Sequence, residues 1–325
     1  MKMSIKRKNF SAKRHALDTL ARSITWASSK QTYFIGTLMV DKSLKKDFFL
    51  AYSYFRWIDD VIDISFQSND ERITFIKRQR DLIDRLYRNE KQNDLAPEEK
   101  IIVKLISHDK VKKSGLKSFI LNMFAVIEFD VYRKNRIISQ KELTWYLDTL
   151  GKSVIDGLLY FIGNDHSYPD NKNKYHAVIG AHITHLIRDM LEDIDNGFIN
   201  IPSEDLEYHN ISPKDTSNIH FRSWVKSQVK SARKYFLEGK QYIDSLGVLR
   251  RKLVGYWYIA RFESVLDVVE QDNYNLRYKY NEHRKPATTL KIVTQSFSII
   301  FRHIISLNKI PRYKRHNTCK CCKRY

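Results

Sequence analysis

Apolar residues recur along most of this chain every three or four positions, in runs too long for strands and bounded by few turn signals. The pattern predicts a helix over 12–27 and another from a cap at Asp41 or Ser43 to about residue 64, with a break at Gln67–Asp70. Ile73, Ile76, Leu82, Ile83 and Leu86 give 71–87 one apolar face and a charged remainder, the signature of a surface helix. A polar loop over 89–97 leads to a helix opening at 101–107. The next runs are 119–132, interrupted by Glu128 and Asp130, and 141–161, where Ser153 and Asp156 are candidates to line an interior cavity. Loops at 163–174 and 202–213 flank a helix over 175–194. Helices over 223–243 and 250–269 complete a bundle, and a last apolar run from about 287 is expected to pack outside it.

Two of these helices have polar residues where an apolar face should be. From Phe48 to Asp63, Tyr52, Arg56, Asp59 and Asp63 fall on one face, while Leu50, Phe55, Ile58 and Ile62 spread over the others. Both sides of such a helix are expected to be buried, and two carboxylates and an arginine are costly there without compensation. Oxygen ligands four residues apart suit a divalent cation; a structural ion-pair network suits the same stretch equally well. The helix over 175–194 repeats the design. His182, His185, Asp189 and Asp193 form a polar stripe with Arg188 beside it, and Leu186, Ile187, Met190, Leu191 and Ile194 supply the packing side. Asn196-Gly197 and Pro202 end that helix. Two acidic helices facing each other favour the metal reading: a cluster of Mg²⁺ ions held by Asp59, Asp63, Asp189 and Asp193 against a diphosphate, with Arg56 and Arg188 taking up the remaining negative charge.

Composition narrows the class. With 325 residues, only ten Gly and six Pro, and long helical runs, one all-α domain around a deep apolar cavity is expected. No run approaches the length of a membrane span, and no signal peptide or solenoid repeat is seen. A cytoplasmic protein, soluble or peripheral at a membrane, is therefore expected. The net charge of +20 is concentrated at the ends. Residues 1–17 hold six Lys/Arg and 283–325 hold eleven, with no acid in either, so the body is left near +3. That distribution argues against a nucleic-acid-binding body; it fits solvated tails or attraction to an anionic membrane surface. Cys319, Cys321 and Cys322 have no common zinc-site spacing, and a reduced, exposed tail is the expectation.

The paired motifs resemble those of the squalene/phytoene synthase family. Its aromatic Y-x-x-x-R-x-x-D-D-x-x-D helix is matched by Tyr52, Arg56, Asp59, Asp60 and Asp63. Its Q-x-x-N-x-x-R-D-x-x-x-D motif, with a following Pro, is matched from His182 to Pro202. Fainter similarities run through Ser29–Phe34, Phe129-Asp130, Glu142, Leu143, Tyr146, Leu266-Asp267 and Asn273-Tyr274, spanning roughly residues 25–285. The resemblance implies the all-α isoprenoid synthase bundle, with a basic segment over 1–24 before it and an additional helix and Cys-containing tail over 286–325. It also implies a Mg²⁺-dependent prenyltransferase that ionises one allylic prenyl diphosphate, farnesyl or geranylgeranyl, and joins it head-to-head to a second. The product would be a squalene- or phytoene-type hydrocarbon, with NADPH consumed only in the squalene case. Tyr33, Arg56, His182, His185, Arg188 and Lys279 would then contact substrate, and Tyr52 would shield the cation.

Two departures stand out. His182 and His185 replace the family's Gln and Asn, and imidazole suits Zn²⁺ or Fe²⁺ better than Mg²⁺. The family's A-G-x-x-G helix reads Gly151-Lys152-Ser153-Val154-Ile155 here, which bears on how closely helices approach the cavity. These departures keep two alternatives open: the same fold passing its cation to a non-prenyl acceptor, or a non-catalytic assembly or binding factor. The retained Asp59, Asp63, Asp189 and Asp193 favour an enzyme.

Overall fold

The computed structural model describes residues 17–66, 68–111, 114–213, 215–281 and 286–308. They form α1 (17–28), α2 (Lys30–Leu38), α3 (Lys45–Asp60), α4 (Asn69–Tyr87), α5 (Glu99–His108), α6 (Gly115–Arg133), α7 (Gln140–Phe161), α8 (His176–Asp195), α9 (Ser203–Tyr208), α10 (Ile219–Ser245), α11 (Leu249–Gln271) and α12 (Pro286–Asn308). Among the described residues the β pairing is confined to one isolated bridge, Ile137 to Ile199. The fold is all-α, as expected.

Local chemistry sets most boundaries. Ser68 and Ser139 each cap a helix, α4 and α7, while Glu71 and Glu142 reach back to the cap backbone as reciprocal boxes. Gly197, at φ +85°, ends α8 in a conformation that suits glycine. The start of α3 differs from expectation. Its first turn follows Leu44, with no side-chain cap, because Asp41 is engaged elsewhere: it accepts from the Asn164 backbone N–H and from Arg250. Within the predicted loop at 202–213, Pro202 and the acidic pair Glu204-Asp205 start the short helix α9.

Two large apolar cores divide the bundle, with a small third cluster of Ile155, Leu159, Val178, Tyr242 and Leu246. One gathers α1 to α6 around Phe49, Leu50, Tyr54, Ile58, Ile83 and Phe124. The other gathers α7, α8, α10 and α11 around Ile187, Met190, Phe221, Phe236 and Ile259. Close approach in the second depends on Gly239 of α10. A Cβ there would lie 2.6 Å from the Ala177 backbone nitrogen of α8. On α7, Gly151 and Gly157 serve the same purpose against Tyr175 and Phe119, where added Cβ atoms would come within 3.1 and 2.9 Å. Ser153 and Asp156, expected at a cavity wall, instead tie helices together: Ser153 donates to the Phe119 carbonyl, and Asp156 accepts from Ser118 and pairs with Lys174.

Buried Arg251 is a further tie. Its guanidinium donates to the carbonyls of Ile162 (2.6 Å) and Leu159 (3.0 Å) at the end of α7, where helix carbonyls lack intrahelical partners, and to that of Gly163 (2.8 Å) in the turn beyond. α12 packs on α11 as the outermost helix. No helix of the described residues is long and apolar enough to cross a membrane. The Cys319–Cys322 segment and the basic stretches at 1–16 and 309–325 lie outside the described residues.

Candidate active site

The two acidic helices belong to different cores, α3 to the first and α8 to the second, and a cavity of about 610 Å³ lies where they meet. α3 ends at Asp60 and the chain continues through one π turn, Val61–Ser65. Such a turn is often found at functional sites, because it re-aims side chains within a helix. Asp59 and Asp63 line the cavity from this side; His182, His185, Asp189 and Asp193 line it from α8. Asp130 and Tyr146, from α6 and α7, complete the acidic wall.

Ion pairs and mutual repulsion divide the carboxylates into two kinds. Burial opposes charge on Asp189, but Arg188 outweighs it, donating from Nε and Nη2 at 2.6 Å each, and His185 Nε2 lies 2.8 Å away. The Asp189 carboxyl is accordingly held well below the usual range. Among the described residues the Asp193 carboxylate accepts from Asn200 Nδ2 alone, at 2.6 Å; burial and the Asp189 charge push it up to about 6. Partial burial and Asp63 raise Asp59, although Arg56 Nη1 donates to it at 2.9 Å. Asp130 is raised by burial despite Arg133 at 2.6 Å and the Tyr146 hydroxyl at 2.9 Å. His182, stacked beside Tyr146 with ring centres 5.1 Å apart, is driven strongly toward the neutral form by burial and by His185. Its Nε2 is buried without a partner.

A second, apolar pocket of about 270 Å³ continues along the same two helices. Ala51 and Tyr52 of α3 and Ala177 and Val178 of α8 line it, together with Phe119, Val154 and Tyr258. Tyr52 precedes Asp59 by seven residues, about 10 Å of helix rise. Each helix thus presents an apolar end to one space and an acidic end to the other.

The remaining sequence candidates sit around this frame. Arg56 bridges Asp59 and Asp60 between the two pockets and, like Arg188, grips a cavity carboxylate without lining the cavity itself. Tyr33 of α2 meets Trp26 of α1 edge-on and Phe49 of α3 at a tilt, with ring centres 5.1 and 5.4 Å apart, and lines neither pocket. Lys279 is exposed in the loop after α11 and is not brought to either pocket. In its stead Arg72, Arg133 and Lys134 reach the acidic cavity from α4 and the end of α6. In the sequence these three sit in ordinary charge runs; the spacing of Asp130 and Arg133, one helical turn apart, was the available signal.

Among the described residues no three His, Cys, Asp or Glu side chains converge closely enough to cage a bare metal ion. Mg²⁺ does not require a cage: it keeps several waters and binds through one or two carboxylates plus substrate phosphate oxygens. Asp59 and Asp193, raised carboxylates on opposite walls, fit cations bound together with an anionic ligand, and with Asp63 and Asp189 beside them they are the residues that would hold such cations.

An all-α bundle with a carboxylate-walled cavity leading into an apolar pocket is the isoprenoid synthase architecture. Solved structures agree on the fold. Squalene synthase HpnC from Alicyclobacillus acidocaldarius superposes with a TM-score of 0.63 at 18% identity, covering 81% of this chain and 96% of that one. A dehydrosqualene synthase in complex with ligand gives 0.64 at 14% identity, covering 90% and 99%. Residues 27–290 match the family model for squalene/phytoene synthase, and the chain belongs to that family. Among relatives, 15-cis-phytoene synthase of Synechocystis sp. is 25% identical over 272 residues, 79% of this chain and 77% of that protein. The 15-cis-phytoene synthase of Synechococcus elongatus is 24% identical over 272 residues, 78% and 84% respectively. The chain is thus an enzyme of the transferase class, a prenyltransferase of the head-to-head condensing type.

Proposed function

We propose that this enzyme condenses two allylic prenyl diphosphates, farnesyl or geranylgeranyl, head-to-head into a squalene- or phytoene-type hydrocarbon, with Mg²⁺ as cofactor. The observation that supports it most is the shared polarity of α3 and α8, which run from an apolar pocket into one acidic cavity. A prenyl diphosphate has the same polarity. Its tail fits beside Tyr52 and Val178, and its diphosphate lies among Asp59, Asp63, Asp189 and Asp193.

Bound Mg²⁺ would neutralise the diphosphate and make it a better leaving group. The chain's own residues do the rest. Arg56 and Arg188 hold Asp59 and Asp189 in place, and Arg72 and Lys134 add positive charge where negative charge develops. Tyr52, Phe119 and Tyr258 wall the apolar pocket with π-faces that exclude water from a cationic intermediate. Neutral His182, with its unpartnered Nε2 at the cavity, offers one hydrogen bond without adding charge. His185 acts through Asp189 as a positioning residue.

Incubating the purified chain with each diphosphate and Mg²⁺, with and without NADPH, and analysing the extracted lipids tests this. A C30 or C40 hydrocarbon that requires Mg²⁺ is expected. Prenyl transfer to a non-prenyl acceptor, or substrate left intact under all conditions, would refute it.

A further inference from the structure

α12 has apolar residues on two opposite sides. On the inner side Ile299 is buried, and Trp257 Nε1 of α11 donates to Ser296 Oγ at 2.8 Å. Lys291 reaches Asp267 at 3.4 Å, and the Arg302 guanidinium lies over the Tyr256 ring at 5.9 Å. The outer side is occupied by Leu290, Val293, Phe297, Phe301, Ile304 and Ile305, which at 100° per residue fall within about 60° of one line along the helix. All six are exposed, Phe297 at 69% and Phe301 at 66%. Single exposed apolar residues are commonplace, but a continuous stripe of six along one helix marks an interaction surface.

Charge identifies what covers it. The helix has no acidic residue; its Lys291 and Arg302 pair inward with Asp267 and Asp244, and the rest of residues 283–325 adds nine Lys/Arg and no Asp or Glu. Two copies joined through this face would bring two such segments together, like charge against like. An anionic lipid surface supplies the opposite charge and an apolar layer beneath it. α12 is also too polar overall to span a bilayer. An amphipathic helix with basic flanks lies in the interface instead.

We propose that α12 is a membrane-docking helix, which seats the enzyme on an anionic bilayer through the Leu290, Val293, Phe297, Phe301, Ile304 and Ile305 face. The inference stands on this surface alone and not on the reaction proposed above.

Co-sedimentation of the full chain with phosphatidylcholine vesicles, with and without phosphatidylglycerol, tests it. The parent is expected to bind the phosphatidylglycerol vesicles, less tightly as salt is raised. Phe297→Ser/Phe301→Ser and, independently, Val293→Ser/Ile304→Ser should each lower the apparent vesicle affinity about tenfold or more. Thermal midpoints and turnover of detergent-dispersed substrate should be unchanged, because all four side chains are exposed. Equal vesicle binding by parent and variants, or no binding by the parent, would overturn the proposal. So would a parent dimer that the substitutions convert to monomer without changing vesicle binding, which would make the stripe a contact between copies.

Discussion

Replacing Asp193 by Asn should stabilise the metal-free protein while removing its function. In the fold the Asp193 carboxyl is raised from 3.8 to about 6, by burial and by the Asp189 charge. The folded state therefore holds this proton more tightly than the unfolded chain does. Its contribution to stability is greatest below 3.8 and is lost as pH rises through about 6. A shift of about two units corresponds to ~3 kcal/mol at most, which partial exposure reduces to about 1–2 kcal/mol. Asparagine keeps an oxygen to accept from Asn200 Nδ2, so the gain is not offset by a lost hydrogen bond. For a domain of this size the gain is a rise in thermal midpoint of about 2–5 °C. Melts in chelator at pH 8 should show that rise, and melts at pH 4 should show almost none. Adding Mg²⁺ and inorganic diphosphate should then raise the parent's midpoint and leave the variant's unchanged. A variant less stable than the parent at pH 8, or a gain of equal size at both pH values, would refute the assignment of Asp193 as an under-neutralised carboxylate.

Three further outcomes follow from contacts already described. His185→Asn should keep substantial turnover and its Mg²⁺ dependence, since Arg188 still holds Asp189, whereas Asp189→Asn should lose about a hundredfold or more in kcat; steady-state kinetics of both beside the parent would show it. Arg251→Met should cost about 3–5 kcal/mol in urea unfolding, because the carbonyls of Leu159, Ile162 and Gly163 lose a charged donor inside the protein. Gly239→Ala should cost about 1–3 kcal/mol by pushing α10 away from Ala177, again read by denaturant unfolding.

The helices and the acidic pair were legible because both are written in local spacing. Carboxylates one turn apart on a helix that is apolar elsewhere have few explanations, and two such helices 120 or so residues apart point at each other. What spacing does not show is who neutralises whom. Arg56 and Arg188 stand beside the acids in sequence, yet each is folded onto a carboxylate instead of facing the cavity. Arg72 and Lys134 face it from segments whose charge runs look like solvated surface. Lys279, which the resemblance places at the substrate, sits in a loop that lines neither pocket. The cap of α3 was misplaced for a similar reason: Asp41 has a partner more than a hundred residues away in Asn164. Asn200 and Arg133, joined at 2.8 Å, likewise meet only through the fold.

The central claim is that α3 and α8 together make one site for a diphosphate and its Mg²⁺ ions. Calorimetric titration of the chain with a non-ionising thiolo analogue of farnesyl diphosphate, at increasing Mg²⁺, measures this directly. Binding should require Mg²⁺ and should be lost alike in Asp59→Asn, on α3, and Asp189→Asn, on α8. Tight binding without Mg²⁺, or loss in one variant and parent-like binding in the other, would contradict it.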